Sequence, residues 1–471
     1  MKKQTCMENK ISPELANQGQ SFSFVNVKPG GNNTCLVDGV IDDKNERRII
    51  NDEIMSLYPD VEQVGFVDSD TSTLCMAGGE FCGNATRSAA FFMLNGNPGE
   101  VNIQVSGVEN RLKAGINSNG EAYAEMPIYF EGDRVQQDKD NPQANTVYMQ
   151  GITQYVIWDD PNVANMLPEQ IKQYALGLLK KKGYDTGYAA SGVMFVSQTE
   201  KGIEIIPVVY VRDIDTLFYE TACGSGTTAV GMVIAKEEKK GVSNLPVIQP
   251  SGLPIRVTVD YDSEYNEFSY AQISGPINTL NTGVLVETPK GAYVIERIQS
   301  TDQLNKAFTT QRLVDAYGVF SDPPYNEQFT TEEIRDIFST YVKKGLLFIS
   351  RTSENIIGFG AAVPLREEPS ILELAQQFGV DPDTCWYMAD LGVVKERRGE
   401  KIATSLVLAR LNAFPKGSTA IMRTSINNDA SQALYKKLGF KQIEGMTQDI
   451  TQQRTDGTKK TDKRVFFTKV I

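Results

Sequence analysis

The sequence contains no histidine among its 471 residues. That absence removes Ser-His-Asp and Cys-His nucleophilic machinery, together with every metal site that depends on imidazole. Acid–base chemistry therefore falls to Cys, Asp, Glu, Lys or Tyr. Cysteine is sparse as well. The six present are too scattered for a disulfide framework and lack the paired spacing of a zinc site, so a reducing cytoplasm is the expected compartment. No apolar run approaches about 18 residues, so no membrane span is expected. The opening MKKQTCMENK lacks the apolar stretch of a secretory signal. Positive charge is in deficit: a net charge of −12 argues against a nucleic acid or an anionic membrane as partner, since neither polyanion attracts an acidic surface.

What is present describes a globular chain. A hydrophobic content of 41% supplies material for real cores, and the length suits two or three domains. Residues 1–21 are polar and read as a flexible leader. A first lobe, 22–140, reads as short strands, a loop and an apolar-rich helix from Gly83 to Leu94, with the polar stretch Gly132–Thr146 as a connector. A second lobe, 141–288, repeats the theme with strands leading to a helix from Gly224 to Lys239. After the turn at Thr288–Gly291, residues 292–471 follow a different pattern of mixed strands and helices, an independent α+β domain.

Two segments match across the lobes: Glu80-Phe81-Cys82-Gly83-Asn84-Ala85-Thr86 and Glu220-Thr221-Ala222-Cys223-Gly224-Ser225-Gly226-Thr227. Each sets a cysteine between a strand and the start of an amphipathic helix. A duplication carrying one reactive residue per copy suggests a site between two pseudo-symmetric lobes. The chemistry this suits is inversion at a carbon acid, where one group removes the Cα proton and its twin returns a proton to the opposite face. At a helix N-terminus each thiol pKa is expected to fall below about 8.5, with one thiolate at a time. The small residues after each cysteine let backbone N–H groups approach a carboxylate. Cys6, Cys35, Cys75 and Cys385 lack this context and read as structural. The competing reading makes Cys82 and Cys223 small core residues; the duplication weighs against it.

With Gly31-Asn32 and Glu62-Gln63-Val64-Gly65-Phe66, these motifs resemble the diaminopimelate epimerase superfamily and, within it, the histidine-racemase branch. The resemblance spans Phe22 to Glu287. It implies two α/β lobes closing over a small-molecule amino acid, with no cofactor and with Cys82 and Cys223 as the acid–base pair. By the same resemblance Asn32, Gln63, Asn84 and the backbone at Gly83, Gly224 and Ser225 hold the head group. Glu62 and Glu220 face the ammonium or side chain. Asn32 reads nearly as well as a turn residue in Gly-Gly-Asn-Asn. No arginine follows Glu220, so the fork that grips a distal carboxylate in diaminopimelate epimerases is missing. Gln154 stands where that family often has a histidine.

Residues 292–471 resemble the GNAT acetyltransferases. The match lies in Leu391-Gly392-Val393-Val394-Lys395-Glu396-Arg397-Arg398-Gly399-Glu400-Lys401-Ile402-Ala403 and in Asn428-Asp429-Ala430-Ser431-Gln432-Ala433-Leu434-Tyr435. The resemblance implies acetyl-CoA bound by Leu391, Val393, Arg398, Gly399, Lys401, Ile402, Ala403 and Asn428. It implies Tyr435 as the acid that protonates the departing CoA thiolate. Lys401 occupies the place of a family glycine. The expected architecture is thus α+β, two pseudo-symmetric epimerase-like lobes followed by a GNAT-fold mixed sheet, with the acetyltransferase acting on one enantiomer from the racemase. The alternatives are an amino-acid-binding regulatory module beside an acetyltransferase, and a proline-racemase-type or other isomerase of the same superfamily. A homodimer is one open assembly.

Overall fold

In the computed structural model, which describes residues 20–129, 132–212 and 215–471 apart from the side chain of Ala307, two compact units divide the chain. One spans Phe24–Leu280 and the other Asn281–Ile471. The boundary between them falls inside strand Asn278–Val286, upstream of the turn expected at Thr288–Gly291. The leader expected over 1–21 lies, up to residue 19, outside the described residues, as does Cys6.

The first unit is a structural duplication. Strands Ser21–Lys28 and Thr34–Asp38 pair antiparallel. Helix Lys44–Leu57 then crosses over to strand Gln63–Asp68, which lies parallel to Thr34–Asp38. Strand Thr73–Met76 returns antiparallel, helix Gly83–Met93 crosses to the parallel strand Gly99–Val105, and an antiparallel meander through Leu112–Ile116 and Ala122–Glu125 follows. The second half repeats this order. Hairpin Ala144–Met149/Ile152–Trp158 precedes crossover helix Pro168–Lys182 and the strand pair Ala190–Thr199/Gly202–Val211. Short strand Thr216–Tyr219, helix Gly224–Glu238 and the meander Val242–Ile248, Pro254–Asp262, Glu267–Gly275 complete it. Parallel neighbours require such crossovers. The last strands of the two halves pair with each other, Ile273 opposite Ala124.

Each half wraps its sheet around one helix. The helix Gly83–Met93 packs Ala85, Ala89, Ala90 and Phe92 against Val25, Leu36, Val67, Leu74, Ile103 and Ala114. Its counterpart packs Ala229, Val230, Met232 and Val233 against Met194, Ile205, Val257 and Ile273. Both helices are buried nearly all round, so the expectation of amphipathic helices is corrected: a helix inside a closed sheet has no solvent face. The polar connector is corrected too. Within it, strand Val135–Gln137 pairs with Ala144–Met149 because Val135 has a core to enter. The segment Val147–Trp158, whose apolar run reads as one strand, turns at Gly151 (φ +79) as part of the hairpin Ala144–Met149/Ile152–Trp158.

In the second unit, strands Tyr293–Ile298, Leu346–Arg351 and Ile356–Pro364 form an antiparallel meander. Strand Cys385–Met388 joins it and runs parallel to Thr419–Ser425, which pairs with Lys459–Val470 of the final hairpin. One face carries helices Thr301–Ala307, Thr310–Tyr317, Thr331–Lys344 and Pro369–Gln377. The other carries Ile402–Asn412 and Asp429–Lys437. Residues 301–318, whose sequence alone reads as one helix, break at Phe308-Thr309, where Thr309 caps a new helix through Arg312 N. No helix of the described residues is long and apolar enough to cross a membrane.

Candidate active site

Cys82 and Cys223 occupy the same local structure twice. Each is the N-cap of its lobe's central helix in extended conformation, and each sulfur accepts a backbone N–H three residues on, Ala85 N at 3.4 Å and Gly226 N at 3.3 Å. Thr86 and Thr227, alike in sequence, are alike in space: each hydroxyl donates to its own cysteine's carbonyl, at 2.8 and 2.7 Å. The two helices meet start to start. A Cβ built on Gly224 would stand in ordinary contact with the nitrogen of Asn84 at 3.7 Å and the Cα of Gly83 at 3.8 Å, and would crowd Ile273 Cδ1 at 2.8 Å. The N–H groups of Gly83, Asn84, Gly224 and Ser225 donate to none of the described residues. Four unspent donors and two positive helix ends therefore meet where the helices start, a setting for a carboxylate.

The polar residues around this junction stitch the lobes together. Asn32, held at φ +49, donates from its backbone to Thr221 Oγ1 at 2.6 Å and from Nδ2 to Ala222 O at 3.3 Å. Its Oδ1 is buried and has no partner among the described residues. Asn84 Nδ2 also reaches Ala222 O, at 3.4 Å, while its Oδ1 accepts from Arg87 Nε at 3.1 Å. The Asn84 side chain thus bonds across the junction on one side and to Arg87 on the other. Glu62 accepts from Thr221 Oγ1 at 2.6 Å. Gln63 Nε2 donates to Thr34 Oγ1 at 2.7 Å, and the Gln63 side chain also hydrogen-bonds the Cys82 sulfur. Ser225 Oγ lies 3.4 Å from Cys223 Sγ and accepts from Gln154 Nε2 at 3.0 Å.

Glu220 links the two thiols. It hydrogen-bonds Cys223 and its charge acts on both sulfurs. Burial pushes the Cys82 thiol up to about 11; the Ala85 N–H and Gln63 oppose this, and Glu220 and Glu80 add to it. Burial, then the charge and hydrogen bond of Glu220, push Cys223 well above its ordinary value against Ser225 and Gly226. Glu220 itself is raised to about 7 by burial, partly offset by the Cys223 hydrogen bond, with Glu62 pushing it further up. The expectation of thiols depressed by the helix ends is corrected here: desolvation and neighbouring carboxylates outweigh the capping N–H groups.

Arg87 was not singled out by its sequence pattern. It is fully buried, donates to Gly275 O at 3.0 Å and Pro29 O at 2.6 Å, and is lowered to about 10 by burial, with the charge at Cys82 acting to raise it. One arginine inside the otherwise uncharged helix Gly83–Met93 is the signal that could have found it. Gln249, which donates to Thr227 Oγ1 at 3.0 Å and accepts from Cys223 N at 2.9 Å, carries no such signal.

A family model described as the histidine racemase CntK N-terminal domain matches residues 21–285, more than half of the chain. The chain belongs to the histidine racemase family. It is 30% identical over 278 residues to a histidine racemase of Fusobacterium nucleatum, an alignment covering 56% of this chain and 96% of that protein. It is 25% identical over 276 residues to one of Staphylococcus aureus, covering 56% and 97%. A solved hydroxyproline epimerase from Agrobacterium vitis aligns with a TM-score of 0.40 at 13% identity, over 57% of this chain and 94% of that one. The GNAT acetyltransferase family model matches residues 311–440, so a GNAT domain is fused behind the histidine-racemase domain, and such a domain implies the use of acetyl-CoA.

The residues expected to hold that cofactor gather at one end of the second unit's sheet. Strand Leu391–Val393 pairs with Gly358–Gly360 but, among the described residues, has no partner on its other edge, where Cys385–Met388 still meets Thr419–Ser425. The sheet is split there, leaving backbone groups to bond a ligand. Arg398 Nε donates to Val393 O at 3.1 Å. Gly399 (φ +91) and Lys401 (φ +60) turn the chain into helix Ile402–Asn412, which has no side-chain cap. From Gly399 to Thr404, Ile402 and Ala403 included, no backbone N–H donates to a described residue. These donors fit a pyrophosphate, and Lys401 adopts the left-handed backbone for which glycine is favoured. Asn428 caps helix Asp429–Lys437 through Ser431 N at 3.0 Å and donates to Tyr325 Oη at 3.1 Å. Tyr435 is buried, and its hydroxyl accepts from the buried Arg410 at 3.4 Å; burial raises its pKa while Arg410 opposes the rise.

Proposed function

We propose that the first unit racemises histidine without a cofactor, Cys82 and Cys223 exchanging a proton with opposite faces of Cα. The observation that carries this reading is the abutment of two cysteine-capped helices, with four free N–H donors at their starts. The substrate carboxylate sits on those donors, which also stabilise the charge that develops as Cα loses its proton. Asn32 Oδ1 and Glu220 take the ammonium. Glu62 and Glu220 favour a cationic or hydrogen-bond-donating side chain such as imidazole, and family membership supports histidine over other amino acids.

The raised thiols give substrate binding a role in activation. A cation placed beside Glu220 cancels the carboxylate that opposes the Cys223 thiolate, and a thiolate on one side is then balanced by a protonated thiol on the other. Gln63 and Arg87 support the anion at Cys82. The second unit transfers acetyl from acetyl-CoA, with the N–H run Gly399–Thr404 holding the pyrophosphate and Tyr435 as the proton donor to the CoA sulfur. The test is chiral chromatography of single enantiomers across an amino-acid panel. Conversion of histidine above all others supports the reading; turnover of proline or of nothing contradicts it.

A further inference from the structure

The second unit carries a polar cluster that none of the assigned residues uses, on the sheet face away from helix Ile402–Asn412. Val363 pairs with Tyr387 and Gly360 with Leu391. Three steps on one strand thus face four on the other, and one residue bulges beside the split in the sheet. Asp390 lies in that bulge, partly exposed. Its Oδ2 accepts from the hydroxyls of Tyr317 and Tyr341, each at 2.7 Å. Its carbonyl is fixed by Ala361 N at 2.9 Å and Arg410 Nη1 at 3.3 Å. Its Oδ1 has no donor among the described residues.

Arg423 stands on the neighbouring strand and the same face, its guanidinium 5.6 Å above the ring of Tyr387. Nη1 donates to Gln448 Oε1 at 2.8 Å and Ser370 Oγ at 3.3 Å. Nε and Nη2 have no partner, and no carboxylate is in ion-pair contact with Arg423, among the described residues. Tyr387 and the carboxylates of Glu368 and, less strongly, Asp390 nevertheless act on Arg423. Met388 lies opposite Met422, so Asp390 and Arg423 both follow that pair on adjacent strands, and an oriented carboxylate and a partly exposed arginine, not paired with each other, complement a zwitterion rather than a simple amine.

We propose that this cluster binds the acetyl acceptor as a free α-amino acid, Asp390 taking the α-ammonium beside the split sheet and Arg423 taking the α-carboxylate. The ammonium gives up one proton to Asp390 or water. Its nitrogen then forms the amide bond to the acetyl carbon as the C–S bond of the thioester breaks, and CoA leaves as the thiol after taking a proton. The assignment rests on the acetyltransferase reading of this domain and is independent of the racemase reading.

The test measures acetylation by the full chain of free amino acids in both enantiomers, histidine included, of their α-amides, and of a peptide with a free N-terminus. The expected preference for acid over amide in kcat/KM is about 10- to 100-fold, the range of a charge-assisted contact. Arg423→Gln erases that preference by raising KM for the acid, with KM for acetyl-CoA unchanged as evidence of an intact fold. Asp390→Asn lowers turnover of acid and amide alike. Amides or peptides acetylated as well as acids, or an acid-to-amide ratio unmoved by Arg423→Gln, overturn the proposal while leaving acetyl transfer standing. Failure to acetylate any acceptor overturns both.

Discussion

At the scale of single residues, the thiols and the carboxylate between them set the chemistry. Replacing Cys82 or Cys223 by alanine is expected to lower racemisation at least about 10³-fold, since either loss removes one of two proton donors, and to leave acetyl transfer near its wild-type rate. Chiral and acetylation assays on the same preparation check this. The pH response follows from the raised thiols. Both titrate above their ordinary range, so the thiolate fraction at neutral pH is small and grows as pH rises. Glu220 disfavours the Cys223 thiolate, and Glu220→Gln removes that negative charge, so the Cys223 pKa should fall. The pH midpoint for its alkylation by iodoacetamide, followed by mass spectrometry, should move to lower pH; a midpoint that stays or rises counts against the role given to Glu220.

At the scale of elements, close packing of backbone holds the site in shape. Gly31 sits at φ +126, and a Cβ there would lie 2.7 Å from Thr221 O and 2.8 Å from the Ala222 Cβ. Gly31→Ala should destabilise the first unit by about 2–4 kcal/mol and reduce racemisation, measured as a shift in denaturation midpoint beside the assay. Much of this scale was legible in sequence. The Cys-Gly turns, the helix starts at Gly83 and Gly224 and the matching threonines are local patterns that folding does not override. Helices Lys44–Leu57 and Pro168–Lys182 were not, because only three positions in each are fully buried and the need for a crossover appears only once the parallel pairing is known. The direction of the thiol pKa values was illegible for a related reason: a helix end is local, whereas burial, the largest cause at both thiols, comes from the packing of the whole unit.

At the scale of the whole molecule, one chain joins a histidine-racemase domain to a GNAT domain. Each unit has its own hydrophobic core. Acetyl-CoA at about 100 times its Kd should stabilise the unit that binds it by about 2.7 kcal/mol, visible as a shift in thermal unfolding that Cys82→Ala leaves in place. No shift with acetyl-CoA would argue against the N–H run at Gly399–Thr404 as its site. The site residues that sequence reasoning missed, Arg87, Gln249 and Asp390, act through partners distant in the chain, a relation no motif encodes.

The most direct measurement of the central claim is the isotope pattern when L-histidine is converted in deuterium oxide. Two thiols on opposite faces of Cα predict that early D-histidine carries deuterium at Cα while the remaining L-histidine keeps its hydrogen, and that Cys82→Ala and Cys223→Ala produce no D-histidine. Deuterium appearing equally in recovered substrate and product, or racemisation that survives in either variant, would contradict the account.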